Sequence, residues 1–152
     1  MDVESDEHYM DLALMEAKKA ELAGEVPVGA VIVSGNVVIG RGFNQPISQS
    51  DPTSHAEIVA MREAARNERN YRLPNATMYC TVEPCMMCAG AMMHARLVRL
   101  VFGTLDPKAG SAGSIYNVLT DPRLNHRVDV VSGVREEECA AILRQFFEKR
   151  RS

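Results

Sequence analysis

The sequence predicts an α/β fold in which helices cover both faces of a mixed sheet. Three observations carry that reading. Short apolar, β-branched runs alternate with longer stretches of helical periodicity. The first two runs are joined through Ser34-Gly35-Asn36, a turn that makes them a hairpin. The later runs alternate with helices, so the sheet is mixed and buried on both sides. With 152 residues, 46% of them hydrophobic, residues 1–152 read as one domain with room for a sizeable core.

From about Asp6 to Leu22, Tyr9, Leu12, Ala13, Ala17 and Ala20 fall on one helical stripe, and Gly24 ends the helix. Val28 to Val33 and Val37 to Ile39 are the hairpin strands. Asn44 to Pro52 is polar, holds two prolines and reads as loop. A second helix from about His55 to Arg69 turns Ile58, Met61, Ala64 and Ala65 inward. Ala76 to Val82 is a third strand, delivering Pro84 to the first position of a third helix, Cys85 to about Arg96. Leu97 to Phe102 is a fourth strand, and Gly103 to Gly113 a long loop. A short helix around Ser114 to Leu119, a fifth strand from Arg127 to Val131 and a helix from about Glu136 to Arg150 complete the chain.

The acidic opening, Met1 to Glu7, lacks the basic-then-apolar pattern of a signal peptide. No apolar run approaches the roughly 20 residues that span a bilayer. The expected location is the cytoplasm, so the four cysteines do not read as two disulfides. Cys80 and Cys139 fall on core-like positions. A net charge of −3 gives no global support for nucleic-acid binding, and any basic surface must be local.

Cys85-x-x-Cys88 places two thiols on one face of a helix start, where the helix dipole favours thiolate. Two thiolates do not complete a zinc site. Ser54-His55-Ala56-Glu57 supplies a histidine at another helix start, with Ser54 a good N-cap. Taken singly, each motif has a plainer reading. Ser54-x-x-Glu57 is a capping box, and Cys-x-x-Cys is a structural half-site or redox pair. Their conjunction is far rarer. His55, Cys85 and Cys88 make three ligands, and three protein ligands plus a bound water or hydroxide is the catalytic zinc pattern. Glu57 then carries the water's proton. His8, His94 and His126 are poorer ligands: His94 is expected to pack within its helix, and His126 lies in a loop.

His-x-Glu followed by Pro-Cys-x-x-Cys is a recognised pattern of zinc-dependent deaminases. The chain resembles the cytidine-deaminase-like superfamily and, within it, the bacterial tRNA adenosine deaminases. The narrower resemblance rests on Glu25-Val26-Pro27-Val28-Gly29-Ala30-Val31, Asn44-x-Pro46-Ile47, Asp51-Pro52-Thr53, and Thr81-x-Glu83-Pro84-Cys85-x-Met87-Cys88-Ala89-Gly90-Ala91-Met92. Val101-Phe102-Gly103, Asp106-x-Lys108 and Asn125-His126-Arg127-Val128 extend it towards the C-terminus. It implies a three-layer α/β/α fold with a five-stranded mixed sheet between helices. It makes His55, Cys85 and Cys88 the ligands of one Zn2+ per subunit, and Glu57 the proton shuttle. It assigns Asn44, the Ala56 backbone N–H and Val28 to the target base. It also implies a homodimer that converts adenosine to inosine at the wobble position of an arginine tRNA anticodon. Asp106, Lys108, Phe147, Arg150 and Arg151 become tRNA contacts.

Plainer readings stand beside the last set. Lys149-Arg150-Arg151 also complements the dipole of a helix C-terminus, and Arg62, Arg66 and Arg69 mark a solvated face. Two other functions are carried forward. One is deamination of a free base or nucleoside by the same chemistry. The other is a non-catalytic zinc-stabilised binding module, which needs a fourth protein ligand and leaves Glu57 only a capping role.

Overall fold

The computed structural model describes residues 3–151. Met1 and Asp2 of the acidic opening, and Ser152 beyond the basic cluster, lie outside them. The elements run α1 (Val3–Leu22), β1 (Gly29–Ser34), β2 (Val37–Phe43), α2 (Pro46–Gln49), α3 (Ala56–Glu68), β3 (Thr77–Val82), α4 (Met86–Ala95), β4 (Arg99–Thr104), β5 (Asp129–Ser132) and α5 (Glu136–Arg151). The five strands form one sheet in the order β2-β1-β3-β4-β5. β1 is antiparallel to both its neighbours, whereas β3, β4 and β5 are parallel. The mixed, doubly covered sheet expected from sequence is borne out.

The hairpin turn holds Gly35 and Asn36 at φ of 56° and 63°, the left-handed pair of a type I′ turn. Strand alternation then sorts the core. Ala30, Ile32, Met78, Cys80, Leu100 and Phe102 pack with α3 and α4. Val31, Val33, Tyr79 and Val101 pack with α1 and with Cys139 of α5. Each large side chain so buried contributes about 1.5–3 kcal/mol. On the α1 face, Tyr79 donates to Asp6 at 2.8 Å, and Arg99 grips the same carboxylate at 2.8 and 2.6 Å. Arg99 holds the Asp6 carboxyl below its ordinary range despite burial. This network ties α1 to β3 and β4. On the other face α3 lies almost against β2, because Gly40 and Gly42 leave no Cβ to meet the Ala60 and Ala56 carbonyls.

Several local expectations are corrected. Residues 46–49 form a short helix rather than loop, because the buried Glu25 carboxylate accepts the N–H groups of Ile47 (3.2 Å) and Ser48 (2.7 Å). The helix expected around Ser114 to Leu119 is absent; a bridge between Ala112 and Asn117 stands in its place. The Val118 N–H, which in such a helix would close on the Ser114 carbonyl, donates instead to the Ser111 carbonyl at 3.1 Å. β4 starts at Arg99 and not Leu97, since Arg96 turns left-handed (φ 59°) to end α4. It extends through Thr104, which takes Gly103 out of the expected loop. Ile58 and Ala65 are only half-buried, and His94 is exposed on α4 instead of packed within it.

Candidate active site

Two helix starts meet at the site. His55 is the N-cap residue of α3 and Cys85 that of α4, both extended (ψ 154° and 176°), and Cys88 lies one turn into α4. Pro84 therefore precedes the N-cap and is not the first helical residue. Ser54 is not the cap either. Its hydroxyl donates to Asp51 at 2.8 Å, and the same carboxylate accepts the N–H (2.9 Å) and hydroxyl (2.7 Å) of Thr53. Those bonds hold the Asp51 carboxyl at about 2. Asp51 thus fixes the turn that delivers His55 through bonds two and three residues along the chain, a local Asx pattern that the choice of Ser54 as cap overlooked. With Ser54 so engaged the capping box does not form.

His55 Nδ1 lies 3.6 Å from each sulfur, and the three donor atoms fall within 4.8 Å of one another. A tetrahedral ion bonded to sulfur at about 2.3 Å and to nitrogen at about 2.05 Å separates them by about 3.6 Å. The residues therefore fit zinc. Hydrogen bonding from Cys88, followed by His55, holds the Cys85 thiol down to about 4, the ionised form that binds metal. Cys88 is pushed up by that same bond and by burial, and His55 is raised by its contact with Cys85. Among the described residues no fourth side chain joins the group.

A cavity of about 170 Å³ opens beside the trio. Val28, Asn44, Glu57 and Asp106 line it, four residues that the sequence singled out. Val82, Glu83 and Ala109 line it as well and were not singled out as site residues. Glu57 is 4% exposed, and burial lifts its carboxyl to about 7. A group in that range both accepts and returns a proton near neutrality. Asn44 Oδ1 accepts the Ala56 N–H at 3.2 Å, which leaves the amide nitrogen as the end available to a ligand. The Ala56 N–H, assigned to the base by resemblance, is thus bonded to Asn44 here.

The remaining candidates lie outside the cavity lining. Lys108 is exposed, and its N–H caps the Asp106 carboxylate at 3.1 Å. Phe147 is 45% exposed against a buried Phe146, and Arg151 is exposed. Arg150 lies 4.5 Å over the Phe146 ring and donates to the Gly24 carbonyl at 2.6 Å, so it also secures the end of α5. Cys80 and Cys139 are buried free thiols, as their positions predicted. No helix among the described residues is long and apolar enough to cross a membrane.

Comparison with known proteins agrees with this geometry. The MafB19-like deaminase family matches residues 4–151. The tRNA-specific adenosine deaminase of Haemophilus influenzae is 54% identical over 149 residues, covering 97% of this chain and 86% of that protein. The tRNA-specific adenosine deaminase of Bacillus subtilis is 47% identical over 146 residues, covering 96% and 91%. A solved structure from a study of A-to-I editing by tRNA:A34 deaminases at the wobble position superposes with a TM-score of 0.86 at 45% identity. It covers 90% of this chain and 99% of that one. Likeness of this extent, over a chain whose His55, Cys85 and Cys88 trio and buried glutamate meet at one cavity, means that the protein belongs to the family of the tRNA-specific adenosine deaminases.

Proposed function

We propose that the chain is a zinc-dependent tRNA adenosine deaminase acting as one domain over residues 1–152. It would convert adenosine to inosine at wobble position 34 of the arginine tRNA anticodon, with release of ammonia. The observation that carries the reading is the placing of His55, Cys85 and Cys88 beside a cavity walled by Glu57 and Asn44. One zinc ion per subunit, held by those three residues with a fourth position for water, would supply the Lewis acid that activates water at neutral pH. Glu57, buried and titrating near neutrality, carries one proton of the attacking water to the purine ring nitrogen, then takes the second from the hydroxyl now on the tetrahedral C6 and gives it to the amine, which leaves as ammonia as the C6–N bond breaks and C6=O forms. The Asn44 amide nitrogen hydrogen-bonds the base, and Val28 and Val82 give it apolar walls. A wobble base sits in a single-stranded loop, so splaying it into the cavity costs less than flipping it from a duplex.

Asp106 in the cavity lining, the exposed Lys108 two residues on, and Phe147 and Arg151 on α5 are the proposed anticodon contacts, Phe147 by stacking and the cations at phosphates. Arg150 joins them only if RNA draws it from Gly24. The active unit is a homodimer. Its support is an apolar groove of about 300 Å³ between α3 and α4, lined by Ile58, Met61, Tyr71 and Ala91 among others. Four free thiols favour the reducing cytoplasm.

The test is an anticodon stem-loop with adenosine at the wobble position, offered to metal-loaded protein beside free cytidine, cytosine and guanine. Inosine in the stem-loop and no turnover of the free compounds is the expected result. Turnover of a free base without inosine would replace the tRNA assignment by small-molecule deamination. Zinc binding without any turnover would favour a binding module.

A further inference from the structure

Between β4 and β5 the chain crosses residues 105–128 with no helix or strand of its own. A connection of that length needs an anchor if it is to hold a fixed shape. The anchor is one carboxylate. Glu83, 3% exposed at the end of β3, accepts the N–H groups of Asp106, Ala112 and Ser114, each at 3.0 Å, and the Ser114 hydroxyl. All four donors come from residues 106–114. A second tie runs alongside, from the Ser111 N–H to the Pro84 carbonyl at 2.8 Å. Gly110 completes the fit, because a Cβ there would collide with the Glu83 carboxylate. Glu83 and two residues of the segment it holds, Asp106 and Ala109, line the same cavity as Glu57 and Asn44. The next residues in the chain are Pro84 and the metal-binding Cys85.

We propose that Glu83 is a positioning residue for deamination: its carboxylate locks residues 106–114 to the metal-binding helix start, so that the segment forms the substrate-binding wall of the cavity. This rests on the deaminase reading above. Glu83 itself takes no part in proton transfer. Its acceptor sites are filled by the loop.

The experiment compares wild type with Glu83→Gln for stem-loop kinetics, zinc content and amide hydrogen exchange of residues 106, 112 and 114. Glutamine keeps the shape and loses one acceptor oxygen. KM for the stem-loop is expected to rise about tenfold or more, the scale of one lost charge-assisted hydrogen bond. kcat should stay within about threefold and zinc at one per chain, while the three amides lose protection. Unchanged KM, or a loss of zinc in step with activity, would overturn the proposal. A cycle of Glu83→Ala, Gly110→Ala and their combination covers the case in which Glu83→Gln does not fold. Gly110→Ala alone should raise KM and speed exchange of the loop, yet add nothing in the Glu83→Ala background, where the collision is gone. Additive effects would overturn the proposal. The exchange measurements need no substrate. If the wild type makes no inosine the deaminase reading fails, and whether Glu83 holds the loop is still read.

Discussion

Two glutamates wall the cavity, and they are buried to nearly the same degree, Glu57 at 4% and Glu83 at 3% exposure. Their chemistry is opposite. Burial lifts Glu57 to about 7, because the bonds that favour its anion do not offset the loss of water. Burial pushes Glu83 the same way, but the Ser114 hydroxyl and the N–H groups of Asp106, Ser114 and Ala112 outweigh it and hold the carboxyl below its ordinary range. Burial alone therefore assigns neither role. The supply of donors separates them: the glutamate left short of donors titrates near neutrality, as the proposed proton carrier needs, and the one saturated with them anchors residues 106–114. Asp6 on the opposite face follows the second pattern, held by Arg99 and Tyr79 far from the cavity.

The largest separation of the two roles comes from removing the metal. Chelation, or Cys88→Ala, should take deamination to background while the amides of Ala112 and Ser114 stay protected by Glu83. Circular dichroism should show the sheet and helices intact, since the cores on both faces do not depend on the ion. Loss of protection together with activity would merge the two carboxylates into one structural unit.

Arg99→Leu probes the third carboxylate. It leaves Asp6 buried without its cation, at a cost of about 3 kcal/mol or more in chemical unfolding. kcat should not change, and a matching fall in kcat would mean that the α1 face takes part in catalysis.

The pH dependence of stability in the metal-free protein should carry opposite signs for the two glutamates. Glu83 is lowered in the fold, so its contribution is present above the unfolded value of about 4.3 and is lost as pH falls through the folded one. Glu57 is raised, so the folded state holds a proton that the unfolded state has released, and its cost grows as pH rises from about 4.3 towards 7. Relative to wild type, Glu57→Gln should gain stability across that window, whereas Glu83→Gln should lose it above about pH 5. Denaturant titrations at pH 4, 5.5 and 7 resolve the two slopes.

Ser111→Ala is the smallest expected effect. Among the described residues the buried hydroxyl has no hydrogen-bond partner, so its removal should shift stability by less than about 0.5 kcal/mol. A larger loss would mean that Ser111 is a further clamp on the loop beside Glu83.

The convergence of His55, Glu57, Cys85 and Cys88 on one site was legible in the sequence because the signals are local. His-x-Glu and Pro-Cys-x-x-Cys each fit within one turn of chain beside a helix start. The hairpin, the strand alternation and the order of the long elements were legible for the same reason. What escaped depends on which donors a carboxylate reaches in the fold, in two cases across long separations. Glu25 builds the 46–49 helix from more than twenty residues away. Glu83 shapes residues 106–114 across a similar span. Ser54 is a good cap by type, yet Asp51 takes its hydroxyl and leaves His55 at the helix start. In each case a carboxylate captured donors that propensity had assigned to their own segment.

The central claim is that Glu57 moves protons beside a zinc site that it does not help to build. Its most direct test is Glu57→Gln, with zinc content measured on the same preparation used for stem-loop turnover. The account predicts one zinc per chain and a kcat lower by about 10²–10⁴, the range of a lost general acid–base. Zinc lost along with activity, or inosine formed at the wild-type rate, would contradict it.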